Sequence, residues 1–141
     1  MFARSNSVPE LMVTDLTESL HFWTSLIGFD IAYERPGFAY LDRQGVQFML
    51  EQYDPDEGQW LAAPLETPLG RGINFQITVD SVEPLLQRLA EVQWPLFRPC
   101  ADTWYRAGTV DVGQREFLVQ DPDGYLLRLV ESLGERPCLN T

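Results

Sequence analysis

Side chains able to do covalent or metal chemistry are scarce in this chain. The one histidine, His21, falls in a stretch with helical apolar spacing, where it points to solvent. The two cysteines, Cys100 and Cys138, form no C-x-x-C pair and read as reduced thiols. What the sequence offers instead is polar residues alternating with apolar ones, the signature of strands with two unlike faces. In Asn74-Phe75-Gln76-Ile77-Thr78-Val79 the apolar residues go to the core, which leaves Asn74 and Gln76 on the opposite face. In Gln47-Phe48-Met49-Leu50-Glu51 the same parity brings out Met49 and Glu51, and inward packing of Leu127 and Leu129 leaves Arg128 facing outward. Phe38 and Tyr40 share one face of a further strand, and Glu10 has the parity of Glu51. Trp60 and Trp104 fall in or beside loop-like segments, suited to stacking on a flat heteroaromatic group, to ordinary packing or to a dimer interface. Rings, amides, a guanidinium and a carboxylate suit a large amphipathic ligand better than they suit acid–base catalysis, so no catalytic residue is assigned.

These residues sit in 141 residues of ordinary globular composition, 45% hydrophobic and 22% charged, which is enough for a single domain spanning 1–141. Ten basic and 21 acidic residues give a formal charge of −11. Such a chain is repelled by nucleic acid and by anionic membranes, and the excess favours a cationic partner. No apolar run reaches the ~18 residues of a membrane span. Residues 1–7 show no apolar signal segment, so the expected location is cytoplasmic.

The elements that must hold the site follow from periodicity. Val8–Val13 is a strand candidate, and Thr14-Asp15 caps a helix whose apolar stripe is Leu16, Leu20, Trp23 and Ile27, with Gly28 at its end. Phe29–Glu34, Phe38–Asp42 and Val46–Gln52 read as strands separated by tight turns. After a Pro- and Gly-rich connection the pattern restarts. Ile73–Val79 is a strand, and Asp80-Ser81 caps a helix with Val82, Leu85, Leu86, Leu89 and Val92 on its apolar face. Strand candidates follow at Leu96–Ala101 or Thr103–Ala107, then Arg115–Gln120 and Tyr125–Glu131, the last two joined by Asp121-Pro122-Asp123-Gly124. Asp15, Glu18 and Leu20 recur as Asp80, Glu83 and Leu85, so one βαβββ pattern occurs twice. The expected limits are module one at about 7–52, a linker at about 53–71, module two at about 72–132 and a tail at 133–141.

Val8-Pro9-Glu10-Leu11-Met12-Val13-Thr14-Asp15-Leu16, with His21-Phe22-Trp23 and Leu26-Ile27-Gly28-Phe29 after it, resembles the opening module of the vicinal oxygen chelate superfamily. Arg115-Glu116-Phe117-Leu118-Val119-Gln120-Asp121-Pro122-Asp123-Gly124-Tyr125 resembles the closing hairpin of its bleomycin-resistance branch. The resemblance implies an α+β fold in which two βαβββ modules curl mixed sheets around a cleft with helices outside. It also implies a homodimer, in many members with the N-terminal strand exchanged. Phe38 stands at an aromatic position that antibiotic-binding relatives use. Relatives that bind bleomycin often carry a tryptophan just before Arg-Glu-Phe, where this chain has Val112-Gly113-Gln114.

Superfamily enzymes hold a divalent metal with His and Glu side chains from four strands. Carried over, those positions are Val8, Asn74, Arg128, and Met49 or Glu51 according to register. Valine cannot coordinate and a guanidinium repels a cation, so no metal and no cofactor is expected. The resemblance then implies a non-catalytic, cytoplasmic antibiotic-resistance protein. Its dimer cleft would sequester a cationic glycopeptide of the bleomycin family, using Phe38, Tyr40, Met49, Glu51, Trp60, Asn74, Gln76, Trp104 and Arg128. The alternatives are a protein of the same fold binding another small metabolite, and a divergent enzyme using Glu51 as a base beside Arg128. Arg128 also has a purely structural reading, as the partner of Glu51.

Overall fold

The computed structural model describes residues 2–138. The chain forms two units, one running up to Leu69 together with Asp121–Gly124, the other made of Gly70–Gln120 with the chain from Tyr125 onward.

In the first unit β1 (Glu10–Val13) leads into α1 (Leu16–Leu20) and then β2 (Asp30–Arg35), β3 (Phe38–Arg43) and β4 (Val46–Gln52). The sheet order is β1-β4-β3-β2, with β1 parallel to β4 and the other pairs antiparallel. Asp15 caps α1 as the sequence predicts, its Oδ1 accepting the Glu18 N–H at 3.2 Å. Past Leu20 the helix widens into a π-helical turn, His21–Leu26, with Ile27 N–H on the Phe22 carbonyl at 3.1 Å. The widening rotates the stripe, so the buried set is Ser19, Phe22, Trp23, Leu26 and Ile27, while Leu16 and Leu20 are only half-buried. His21 is exposed, as its position implied. Trp23 packs on Phe48 (4.9 Å between ring centroids) and Phe29 (5.3 Å), in a core closed by Leu41 and Leu50.

The turn Asp121–Gly124 belongs to this unit through its carboxylates. Asp121 accepts the Trp23 indole N–H at 3.1 Å, and Asp123 accepts the N–H and the hydroxyl of Thr14 at 3.1 and 2.5 Å. Both aspartates are buried, so these bonds meet a need that water cannot.

The second unit holds β5 (Asn74–Thr78), α2 (Glu83–Glu91), β6 (Arg98–Ala107), β7 (Val110–Gln120) and β8 (Leu126–Pro137), in sheet order β5-β8-β7-β6. Val82, Leu85 and Leu89 form the buried side of α2, and with Ile77, Phe117, Val119, Leu127 and Leu129 they make the core. Val92, expected on the apolar face, is 52% exposed because it lies beyond the last helical turn. The Asp80-Ser81 cap is corrected too: Val82 is the N-cap, and Glu131 accepts its N–H at 3.1 Å. The two strand candidates around residue 102 are one strand, β6, and β8 continues through residues 133–137, where a tail was expected. The result is the α+β fold that the resemblance implied, two four-stranded mixed sheets with few helices.

Candidate functional site

The face of the first sheet turned away from Trp23 is built in rows by strand register. Tyr33, Tyr40, Met49 and Glu10 form one row, and Arg35, Phe38, Glu51 and Met12 the next. Parity therefore brings together Phe38, Tyr40, Met49 and Glu51 as predicted, with Glu10 beside them. Tyr33 stacks on Tyr40 (5.2 Å) and on Phe38 (6.0 Å), and the Arg35 guanidinium sits 3.7 Å over the Phe38 ring. Phe38 is thus covered on one face by a cation of its own sheet.

Two cavities open along this face. One of about 410 Å³ is lined by Glu10, Arg35, Glu51, Glu57, Gln59 and Trp60. The other, about 400 Å³, is lined by Arg35, Phe38, Glu51, Asp54 and Glu57. Burial, and after it the Glu51 carboxylate, pushes Glu10 above its ordinary value against the opposing pull of Arg35. The loop after β4 is pinned by Gln59, which donates to the Gln52 carbonyl and accepts the Asp54 N–H, both at 2.8 Å. That places Trp60 on the cavity lip with 92% of its surface exposed. Arg35 and Glu57 were missed from the sequence. The Pro36-Gly37 turn was the available signal for Arg35, because it sets Arg35 opposite Phe38.

In the second unit Asn74, Gln76 and Thr78 are exposed on the face opposite Ile77, with Gln76 beside Arg128 in register. Arg128 donates to Glu116 through Nε and Nη2, both at 3.2 Å, and to Gln114 Oε1 at 2.9 Å. The Tyr105 hydroxyl donates to the same carboxylate (3.0 Å), and its ring lies 5.3 Å from the guanidinium. The expected partner Glu51 is replaced by Glu116, a residue of the Arg-Glu-Phe motif with the parity of this face and 5% exposure. A smaller depression of about 260 Å³ continues past it, lined by Thr78, Val112, Gln114, Val130, Ser132 and Glu135.

Trp104 is the clear correction. It alternates with Tyr105 and so lies on the other face, its indole laid against Gly113 and covered by the Arg136 guanidinium at 4.0 Å. Tyr105, not Trp104, is the β6 ring that meets Arg128.

The donor set does not fit a divalent ion. Arg128 is cationic and engaged with Glu116, Val8 has no donor, and among the described residues no three His, Cys, Asp or Glu side chains converge.

Paired βαβββ units with an acidic, ring-lined face define a class. The chain belongs to the glyoxalase/bleomycin resistance protein/dioxygenase superfamily, whose family model matches residues 7–129. Superfamily members with this architecture include both enzymes and binding proteins. Its relatives include the bleomycin resistance proteins of Geobacillus stearothermophilus and Staphylococcus aureus. Each is 25% identical over 138 residues, covering 90% of this chain and 96% of the relative. Among solved structures the chain is similar to TioX from Micromonospora sp. ML1, at 21% identity and a TM-score of 0.71, covering 92% of this chain and 100% of that one. It is also similar to the bleomycin resistance determinant encoded on transposon Tn5, at 19% identity and a TM-score of 0.60, covering 92% and 99%. No helix among the described residues is long and apolar enough to cross a membrane.

Proposed function

We propose that this protein is a non-catalytic, cytoplasmic binding protein of the bleomycin-resistance type, acting as a homodimer that sequesters a cationic, aromatic glycopeptide. The observation that carries the reading is the first unit's face, where Glu51 and Glu57 line two cavities, joined by Glu10 and the exposed Trp60 in one and by Asp54 in the other, so that the carboxylates outnumber the one cation, Arg35. Carboxylates at a cavity wall attract a cationic tail, and the exposed Trp60 ring accepts a flat heteroaromatic group. In the second unit Asn74, Gln76 and Arg128 supply amide and guanidinium groups on a polar face of their own. Isothermal titration with a bleomycin, with tryptophan emission followed in parallel, tests the reading. Heat release with quenching of the exposed Trp60 is expected. Absence of both at tens of micromolar protein rules the drug out.

One observation favours a different small molecule. The tryptophan usual before Arg-Glu-Phe is lacking, and Trp104 is occupied by Arg136 on the other face. A reduced stacking platform suits a smaller cationic metabolite held in the same cavities. Unchanged drug sensitivity on loss of the gene, together with retained binding of a cationic aromatic amine, would select that reading.

A further inference from the structure

The face of the first sheet is occupied along part of its length, and the occupant is the chain's own N-terminal segment. The Phe2 ring lies 5.2 Å from Tyr40 and 6.2 Å from Tyr33, and the Arg4 guanidinium stands 5.6 Å over the Tyr33 ring. The segment's backbone is held by one side chain. Gln47 donates to the Ala3 carbonyl at 2.7 Å and accepts the Ser5 N–H at 2.8 Å. Its remaining capacity is fixed by Tyr40, whose hydroxyl donates to Oε1 at 2.7 Å, and by Asp42, which accepts from Nε2 at 2.9 Å.

This is the geometry of recognition. A primary amide that donates to the carbonyl of one residue and accepts the N–H two residues on reads an extended peptide as a neighbouring strand would. With the segment in place Gln47 is 6% exposed, and departure of the segment frees one amide N–H and one lone pair that an incoming peptide group can take over from water. Yet residues 2–9 belong to no strand, and Ala3, Arg4 and Ser5 are exposed, so the segment can leave without breaking a ladder. From Phe2 the stack runs through Tyr40, Tyr33 and Phe38 to Arg35, at the mouth of both cavities.

We propose that Tyr33, Tyr40 and Gln47 form a ligand subsite for a peptide-like molecule carrying an aromatic ring and, two residues along, a cation. Phe2–Ser5 is its intramolecular occupant, which such a ligand displaces. The proposal deepens the binding reading above and shares its drug probe, but the self-peptide gives it a separate test.

The experiment compares the wild-type chain with Phe2→Ala and with Phe2→Ala/Arg4→Ala, substitutions at the surface segment that leave the core untouched. In one arm the acetylated, amidated peptide Phe-Ala-Arg-Ser-Asn is added and the Gln47 side-chain amide and Tyr40 ring signals are followed by NMR. They are expected to move in the double variant at lower peptide concentration than in the wild type. In the other arm a bleomycin is titrated calorimetrically. If the segment is docked nine-tenths of the time, the double variant binds up to about tenfold tighter. Amide exchange at Ser5 is then expected to accelerate in the wild type on adding drug. Unmoved Gln47 and Tyr40 signals overturn the subsite. Drug that binds the variants no tighter than the wild type, and leaves Ser5 exchange unchanged, overturns the displacement. Drug that binds no form, with peptide shifts retained, removes the drug reading and supports the subsite.

Discussion

The Arg128–Glu116 pair allows a quantitative test of how the second sheet's polar face is held. Glu116 is nearly buried, while a quarter of the Arg128 side chain reaches solvent. In Arg128→Met the carboxylate loses two donors and keeps one, the Tyr105 hydroxyl. Breaking a buried pair from one side costs about 3–5 kcal/mol, and water at the vacated position reduces this to about 2–3 kcal/mol here. Glu116→Gln keeps an acceptor and leaves a cation that water can reach, for about 1 kcal/mol. The double variant should then cost well below the sum, with a coupling of about 2 kcal/mol. Urea unfolding at pH 7, with circular dichroism and tryptophan emission transitions coincident, measures all four forms. A loss under about 0.5 kcal/mol for Arg128→Met, or strict additivity, would refute the assignment of Glu116 as the partner that fixes this guanidinium.

Three further outcomes are expected, one at Gly113 and two at Glu10. Gly113→Ala places a methyl within 2.7–2.8 Å of the Trp104 ring, so the indole must shift off Arg136. A loss of about 1–3 kcal/mol and a change in near-ultraviolet dichroism would report it. Glu10 is held above its ordinary value, so its contribution to stability is present below about pH 4.5 and lost as the pH rises through the raised value. Glu10→Gln is therefore expected to be more stable than the wild type at pH 7, but not at pH 4, in thermal scans. In the wild type a cationic probe should bind less tightly as the pH falls and Glu10 becomes neutral, and the variant should flatten that dependence.

What could be read in advance was whatever strand parity controls. Met49, Glu51, Phe38, Tyr40, Asn74, Gln76 and Arg128 lie on the faces assigned to them because a period of two leaves one choice once the apolar set is known. Trp104 was misplaced because the strand around it had two candidate limits, and parity has no meaning until the strand is defined. The π-helical turn escaped because the apolar residues from Trp23 to Ile27 fit a regular stripe equally well. Glu116 stood in a recognised motif, but which carboxylate meets Arg128 depends on the β7–β8 register. The contacts of Phe2 and Ser5 with Tyr40 and Gln47 join residues far apart in sequence, with no periodic pattern to announce them.

The Asp121–Gly124 turn also bears on how the chain can be dissected. The polypeptide crosses between its units at Leu69–Gly70, Gln120–Asp121 and Gly124–Tyr125. A fragment ending at Leu69 would contain the whole first βαβββ pattern. It would still lack the carboxylates that receive the Trp23 indole and the Thr14 amide and hydroxyl. The sequence repeat is therefore not a pair of autonomous halves. Four residues numbered with the second half complete the core of the first, and synthesis must pass Gly124 before either repeat has all its parts.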